Sequence, residues 1–597
     1  MIPKPGALVA VFAVTVALIA ATPVAASAAP PQNCRLLPVD VDPVLHSDAA
    51  RAEFGVDGTG IKVGVISNSF DANATYSTAA QNVQQGLLPG PGNPCGYETP
   101  VAVLSDLHNV TPTPDDEGRA MLQQVHGVAP GAALYFATAG ADLGDLTGAI
   151  TLMRNAGVDV IIDDVIPLTE PFYQESLEAQ AIADAVASGI TYVTAAGNNT
   201  LLARNPGTTE VTPVGSWETT AYRPAPCDPG LVVPAVAGYT TYDCLDFDPG
   251  LAAPTITSFV TLPAANAAVE VNGRYYVSLP VAMQWAEPFG ESKAKFEMLI
   301  SLDGAAPLVV PPDGATDPLR AGSFAVDVTD KRDPTDLIPD EVTMDISIVR
   351  YLDGTSATDI TPPLGFVFGT DGPQWIVSSD IMQSQGPDTV GRSIAGHNGA
   401  PAAITTAASG AFDDDRLDYF SSLGPVTYYV TPEGATPAGP LPQPQPVGKP
   451  DLLSVDGARQ NVMVGAPTAT PGVFLFYGTS AAAPSAGAVA ALALQLNPQL
   501  SPAEIRSLLV ATAAPQPSPY PLLPAAVSVG AGLIDARAML DAVEAALPVP
   551  DPDNPAPRPV LAASGGGDAA SAGIAALALV ALGAVLVTVR GRRRRAS

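Results

Sequence analysis

Gly478-Thr479-Ser480-Ala481-Ala482-Ala483-Pro484 opens an Ala-rich apolar stretch of helical character. A serine at the amino end of a helix is placed for nucleophilic chemistry, because free backbone N–H groups and the helix dipole stabilise an oxyanion there. Gly478 allows a substrate to approach closely, and Pro484 fits a first-turn position. A second candidate group is Asp163-Asp164, which ends the apolar run Val160-Ile161-Ile162. Adjacent carboxylates there are costly unless they face a cleft or share a proton; a solvated turn is the plain alternative. Histidine is scarce, four in 597 residues, and neither Cys-x-x-Cys nor a histidine cluster offers a metal site. No metal and no cofactor is expected.

These groups need elements to hold them. From Gly60 to about Arg204 the chain alternates apolar strands with helical stretches. Ile61–Ile66, Ala132–Ala137, Val158–Ile162 and Thr191–Val193 read as strands, and Glu175–Ser188 as a helix between the last two. Such alternation predicts a doubly wound parallel α/β sheet. Between 205 and 393 Pro, Gly and Asp punctuate short alternating runs, such as Tyr275–Leu279 and Val342–Ile348. That texture predicts an inserted antiparallel β-sandwich. The α/β texture resumes over 394–546, so the first domain comprises 29–204 and 394–546. Ser501-Pro502-Ala503-Glu504 is a capping box for one of two closing helices.

Further motifs fall in a telling order. Gly60–Ile66, Ala195-Ala196-Gly197-Asn198, Phe420–Pro425, Lys449-Pro450-Asp451, the heptad at Ser480 and Gly530–Ala536 follow one another along the chain. This series resembles the subtilase family of serine peptidases over about residues 50–204 and 394–546. The resemblance implies a parallel α/β sandwich with its site at the carboxyl ends of the strands. It also implies Ser480 as nucleophile and the Asn198 side chain as an oxyanion donor.

The proton-handling residues depart from that pattern. Subtilases follow the first strand with an Asp; here the strand runs on as Ser67-Asn68-Ser69-Phe70-Asp71. Where they open a helix with the catalytic His, this chain has Asp115-Asp116-Glu117-Gly118-Arg119. A Glu at that place resembles the acid-acting sedolisins, which use Ser, Glu and Asp. Their Asp stands four residues after the Glu, a place held here by Met121. Asp163 or Asp164 is the replacement acid. Glu117 is then the general base and Asp164 the group that orients it, with one proton shared between them and activity on the acid side. His126 reads as a packing or surface residue, and a catalytic role for His397 remains a minor alternative.

The two ends of the chain give its address. Residues 1–28 have a cation at Lys4, an apolar run and Ala26-Ser27-Ala28, the three parts of a signal peptide. A Pro- and then Gly-rich stalk, 547–568, leads to a chargeless span, 569–589, long enough to cross a bilayer as a C-terminal transmembrane helix. The basic tail 590–597 keeps its end in the cytoplasm, so the rest faces outward. Leu561-Ala562-Ala563-Ser564-Gly565 resembles a sortase signal, so attachment to cell wall and simple membrane anchoring both stand open. A formal charge of −32 argues against nucleic-acid partners. Cys34, Cys95, Cys227 and Cys244 allow three pairings, and sequence proximity favours Cys227–Cys244 with Cys34–Cys95.

The expected function is therefore a secreted, surface-anchored serine endopeptidase with a protein or peptide substrate. Its rival is a catalytically inactive subtilase-fold protein that binds through the inserted sandwich.

Overall fold

Aliphatic and β-branched runs without polar alternation form strands buried on both faces, and the chain sets seven of them side by side. They are β1 (Lys62–Ser67), β2 (Ala102–Val103), β3 (Ala133–Thr138), β4 (Val160–Asp163), β5 (Thr191–Ala195), β6 (Ile404–Gly410) and β7 (Leu452–Asp456). All pair in parallel, in the order β2-β3-β1-β4-β5-β6-β7. The computed structural model describes residues 34–547 apart from short internal segments, the longest being 330–340, 380–387 and 353–359. The signal peptide, the stalk beyond Leu547, the membrane span and the basic tail expected from sequence lie outside the described residues.

Chain order reverses direction at β1, whose neighbours are β3 and β4. The crevice beyond the carboxyl ends of strands at such a reversal is where α/β sheets place their sites. Helices α1 (Glu117–Val128), α2 (Leu146–Ala156), α3 (Leu177–Ala187), α4 (Thr479–Leu496), α5 (Pro502–Thr512) and α6 (Ala536–Ala546) cover the sheet. α4 is apolar all round because it is enclosed all round, packing along α1 and across β4–β7. Among the described residues it is the helix long and apolar enough to cross a membrane, and its burial marks it as a core helix. α5 begins with its capping box closed, the Ser501 hydroxyl accepting from the Glu504 N–H.

Between β5 and β6 the chain builds two larger antiparallel sheets. One is centred on Glu341–Leu352 and the other on Arg274–Trp285. Trp217, Trp285, Phe296, Met298, Ile346 and Phe366 are buried together between them. The amino-terminal segment lies across the outside of the parallel sheet's domain as a tether. The Cys34–Cys95 disulfide fastens it, and Asp40 pairs with Arg459 at 2.6 Å. Glu53 pairs with Arg537 of α6 at 2.7 Å. The second disulfide joins Cys227 to Cys244.

Candidate active site

Four segments converge beyond the switch between β1 and β4: the end of β1, the end of β4, and the first turns of α1 and α4. Gly118 lets α1 start this close to the sheet. A Cβ there would stand 2.3 Å from the Phe136 ring and 2.9 Å from the Ser69 carbonyl oxygen. Asn68, just past β1, takes the Glu117 N–H on its side-chain oxygen at 3.1 Å and gives its amide to Asp115 at 2.6 Å. Glu117 is thus placed at the mouth of the crevice by the residues that replace an acid after β1.

Ser480 is the second residue of α4 and is 5 % exposed. Its hydroxyl and the Asp164 carboxyl are both hydrogen-bonding neighbours of the Glu117 carboxyl and favour its charged form. Asp164 is buried and accepts from the Ser67 hydroxyl at 3.1 Å. The four groups therefore run in series: Ser480, Glu117, Asp164, Ser67.

The electrostatics of this series are those of a crowded pair of acids. Glu117 keeps some surface open to the crevice, yet its carboxyl is densely surrounded by protein. Burial, and then the negative charge of Asp115, push its pKa up to about 7, against the bonds from Ser480 and Asp164. Asp164 is raised well above the usual carboxylate range, first by burial and then by the charge of Glu117. Two such acids hold one proton between them across neutral pH.

Asn198 belongs to the loop after β5. Its side-chain oxygen accepts from the Thr479 N–H and hydroxyl, both at 3.0 Å, which turns the amide nitrogen towards the head of α4. That nitrogen and the Ser480 N–H donate to no group among the described residues. Gly478, at φ 118°, makes room for this approach: a Cβ there would come within 3.3 Å of the Asn198 amide nitrogen. Pro484 differs from the sequence expectation. It is the sixth residue of α4, inside the helix, and having no N–H it leaves the Ser480 carbonyl without its helical donor.

The remaining candidates separate cleanly. Asp163 and Asp164 are neighbours on an extended chain and so point to opposite sides. Asp164 meets Glu117, while Asp163 turns away to His397 at 3.1 Å. His126 is buried at the far end of α1 with its ring edge-on to Tyr97, and burial drives its pKa well down, so it packs as a neutral ring. Asp71 is exposed and takes the Ala79 N–H. Asp116 ties the loop after β1 to α1 through Ser69, Ala72, Asn73 and Arg119. Sequence reasoning passed over Ser67 and Asn68. Two polar residues ending an apolar strand, starting one step past the Ile66–Asp163 pair, were the available signal.

A hydroxyl at a helix head, an acid beside it and N–H donors without a partner among the described residues are the parts that a serine hydrolase on a parallel α/β sheet would use. The subtilase family model matches residues 110–533, and the chain belongs to that family of serine proteases. The fold is thus the subtilisin-like one with its seven-stranded parallel sheet. Solved structures similar to it include the CspB protease of Clostridium perfringens. That protein is 13 % identical over 85 % of this chain and 98 % of its own, with a TM-score of 0.42. MycP1 from Mycobacterium smegmatis is 14 % identical over 87 % and 88 %, TM-score 0.32. A lanthipeptide protease is 11 % identical over 84 % and 94 %, TM-score 0.35. No curated protein matches the chain with significance.

Proposed function

We propose that the chain is an exported serine endopeptidase whose proton carrier is Glu117, backed by Asp164, in place of a histidine. One observation carries this reading: the Ser480 hydroxyl, at the head of α4, faces the Glu117 carboxyl, which in turn faces Asp164.

Ionised Glu117 takes the Ser480 proton as Oγ bonds to a peptide carbonyl carbon. The oxyanion formed accepts from the Ser480 N–H and the Asn198 amide. The C–N bond then breaks as Glu117 returns the proton to the departing amine, leaving an acyl ester on Ser480. Water adds to the ester in the same way, giving its proton to Glu117, and the acid leaves as Ser480 recovers its hydrogen. A carboxylate of ordinary pKa is a weak base for this work; one lifted to about 7 is far closer to what proton transfer at neutral pH needs. The competent form has Glu117 ionised and Asp164 protonated. With both pKa values raised, that form is depleted below about pH 7 and lost where Asp164 ionises. The working range is therefore near neutral, a shift from the acid side read from the sequence.

The test is cleavage of an unstructured protein by residues 29–546 between about pH 4 and pH 9. Turnover is expected to rise towards neutral pH, and Ser480→Ala and Glu117→Gln each to lose about 1000-fold or more in kcat. No turnover at any pH sinks the reading and leaves a binding module built on the same fold.

Export and anchoring form the second half of the proposal. Two disulfides suit an oxidising compartment, in keeping with the leader at 1–28 and the span at 569–589. Protease treatment of intact cells should remove the domain, and release by a wall-digesting enzyme would separate sortase attachment from a membrane anchor.

A further inference from the structure

Behind the candidate pair of acids lies a second, buried charge cluster that the proposed reaction does not touch. His397 is 0 % exposed and Asp163 likewise, with Glu170 at 8 %. The His397 Nδ1 lies 2.7 Å from Glu170 Oε1, and Nε2 lies 3.1 Å from Asp163 Oδ1. The His397 backbone N–H also donates to Glu170, at 2.6 Å. The Asn398 amide nitrogen also lies 3.3 Å from Nε2, farther than its 3.0 Å contacts with the Val165 and Ala195 carbonyls and the Thr194 hydroxyl, which take its two hydrogens. Both ring nitrogens therefore face carboxyl groups, an arrangement that a proton on each satisfies: an imidazolium between two anions. Burial alone would lower its pKa, but the charges and bonds of Glu170 and Asp163 outweigh it and hold it well above the usual value.

Asp163 is the backbone neighbour of Asp164. Its Oδ1 is fixed from three sides, by His397, the Thr194 hydroxyl and the Val165 N–H. Its charge is one of those that raise Asp164, after burial and Glu117 and alongside Asp115. The other groups around the cluster are the Tyr192 phenol on β5, which feels the charges of Asp163 and Glu170, Tyr428 and the acid Glu433 near Glu170, and the Ser176 hydroxyl, which donates to Glu170 at 3.3 Å.

We propose that His397 is a positioning residue for the proton-transfer pair: through Asp163 it fixes the end of β4 that carries Asp164, and its positive charge offsets the negative charge beside that acid. The proposal rests on the Ser480–Glu117–Asp164 reading for its catalytic meaning. It is tested by a measurement that does not need turnover. Carboxyl titration by 13C NMR is followed in the full-length chain carrying Ser480→Ala, with His397→Gln or Asp163→Asn added.

Removing the cation should move the apparent pKa values of the Glu117–Asp164 pair up by about one unit, and removing the neighbouring anion should move them down by about one. The limbs of the kcat/KM profile should follow in the same opposite directions when Ser480 is present. A purely packing role shifts neither, or moves both variants the same way; either result overturns the proposal. If His397→Gln does not fold, Asp163→Asn decides alone, a downward shift supporting the link and none, or an upward one, ending it. 15N NMR of the Ser480→Ala chain should further show both His397 ring nitrogens protonated at pH 8, and a neutral ring there overturns the imidazolium. A wild type that never turns over fails the peptidase reading while these titrations still report on the clamp.

Discussion

A carboxyl group that must both take and return a proton, as the proposed reaction asks of Glu117, is useful only when its two forms are close in free energy, and burial moves Glu117 in that direction. The same burial has a consequence for stability. Glu117 titrates at about 7 in the folded chain against an ordinary 4.5, so its contribution is complete below about pH 4.5 and is lost as pH rises through about 7. Glu117→Gln should abolish that loss. Above pH 7 the variant is expected to be more stable than wild type by about 1–3 kcal/mol in denaturant melts, with the difference vanishing near pH 4. Asn198 acts on a different quantity. Asn198→Ala should lower kcat about 100- to 1000-fold with little change in KM, since the amide meets charge that exists only in the transition state. The place of Ser480 at a helix head could be read from its heptad because the helix start and its small-residue neighbourhood are encoded in consecutive letters. Choosing between Asp163 and Asp164 could not be, since one residue of register decides which of them faces the crevice.

Among the elements, the close crossing of α1 and α4 with the sheet depends on two missing side chains. Gly118→Ala would drive a methyl into the Phe136 ring and the Ser69 carbonyl, at 2.3 and 2.9 Å. A loss of about 1–3 kcal/mol in stability is expected, with Glu117 displaced and kcat reduced. Gly478→Ala meets both a strained backbone at φ 118° and the Asn198 amide, so it should harm turnover more than stability. Four of the strands were legible from sequence, β1, β3, β4 and β5, because parallel strands enclosed by helices are written as uninterrupted aliphatic runs. The short β2 escapes such reading, since two residues carry no period. α3 begins two residues later than its helical pattern suggests, because Ser176 caps it by accepting the Ala179 N–H.

Over the whole molecule, the insert does more than decorate a surface. Gln284, on the strand Arg274–Trp285, donates to the Glu170 carbonyl at 2.7 Å and accepts the Phe172 N–H at 2.9 Å, so the insert braces the segment that holds the His397 clamp. No sequence pattern could announce that contact, which joins residues more than a hundred positions apart. The amino-terminal tether is closed by Cys34–Cys95 across 61 residues. Replacing both cysteines by serine should lower stability by about 2–4 kcal/mol and expose the segment to proteolysis first.

The tether's ion pair with α6 joins an early helix of the described residues to their last one. β6, β7 and α4 all follow the insert in the chain, so synthesis delivers Glu117 long before Ser480. A half-made chain carries an acid with no alcohol to activate. On the proposed reading, no peptide bond is at risk until the final helices have folded onto the sheet.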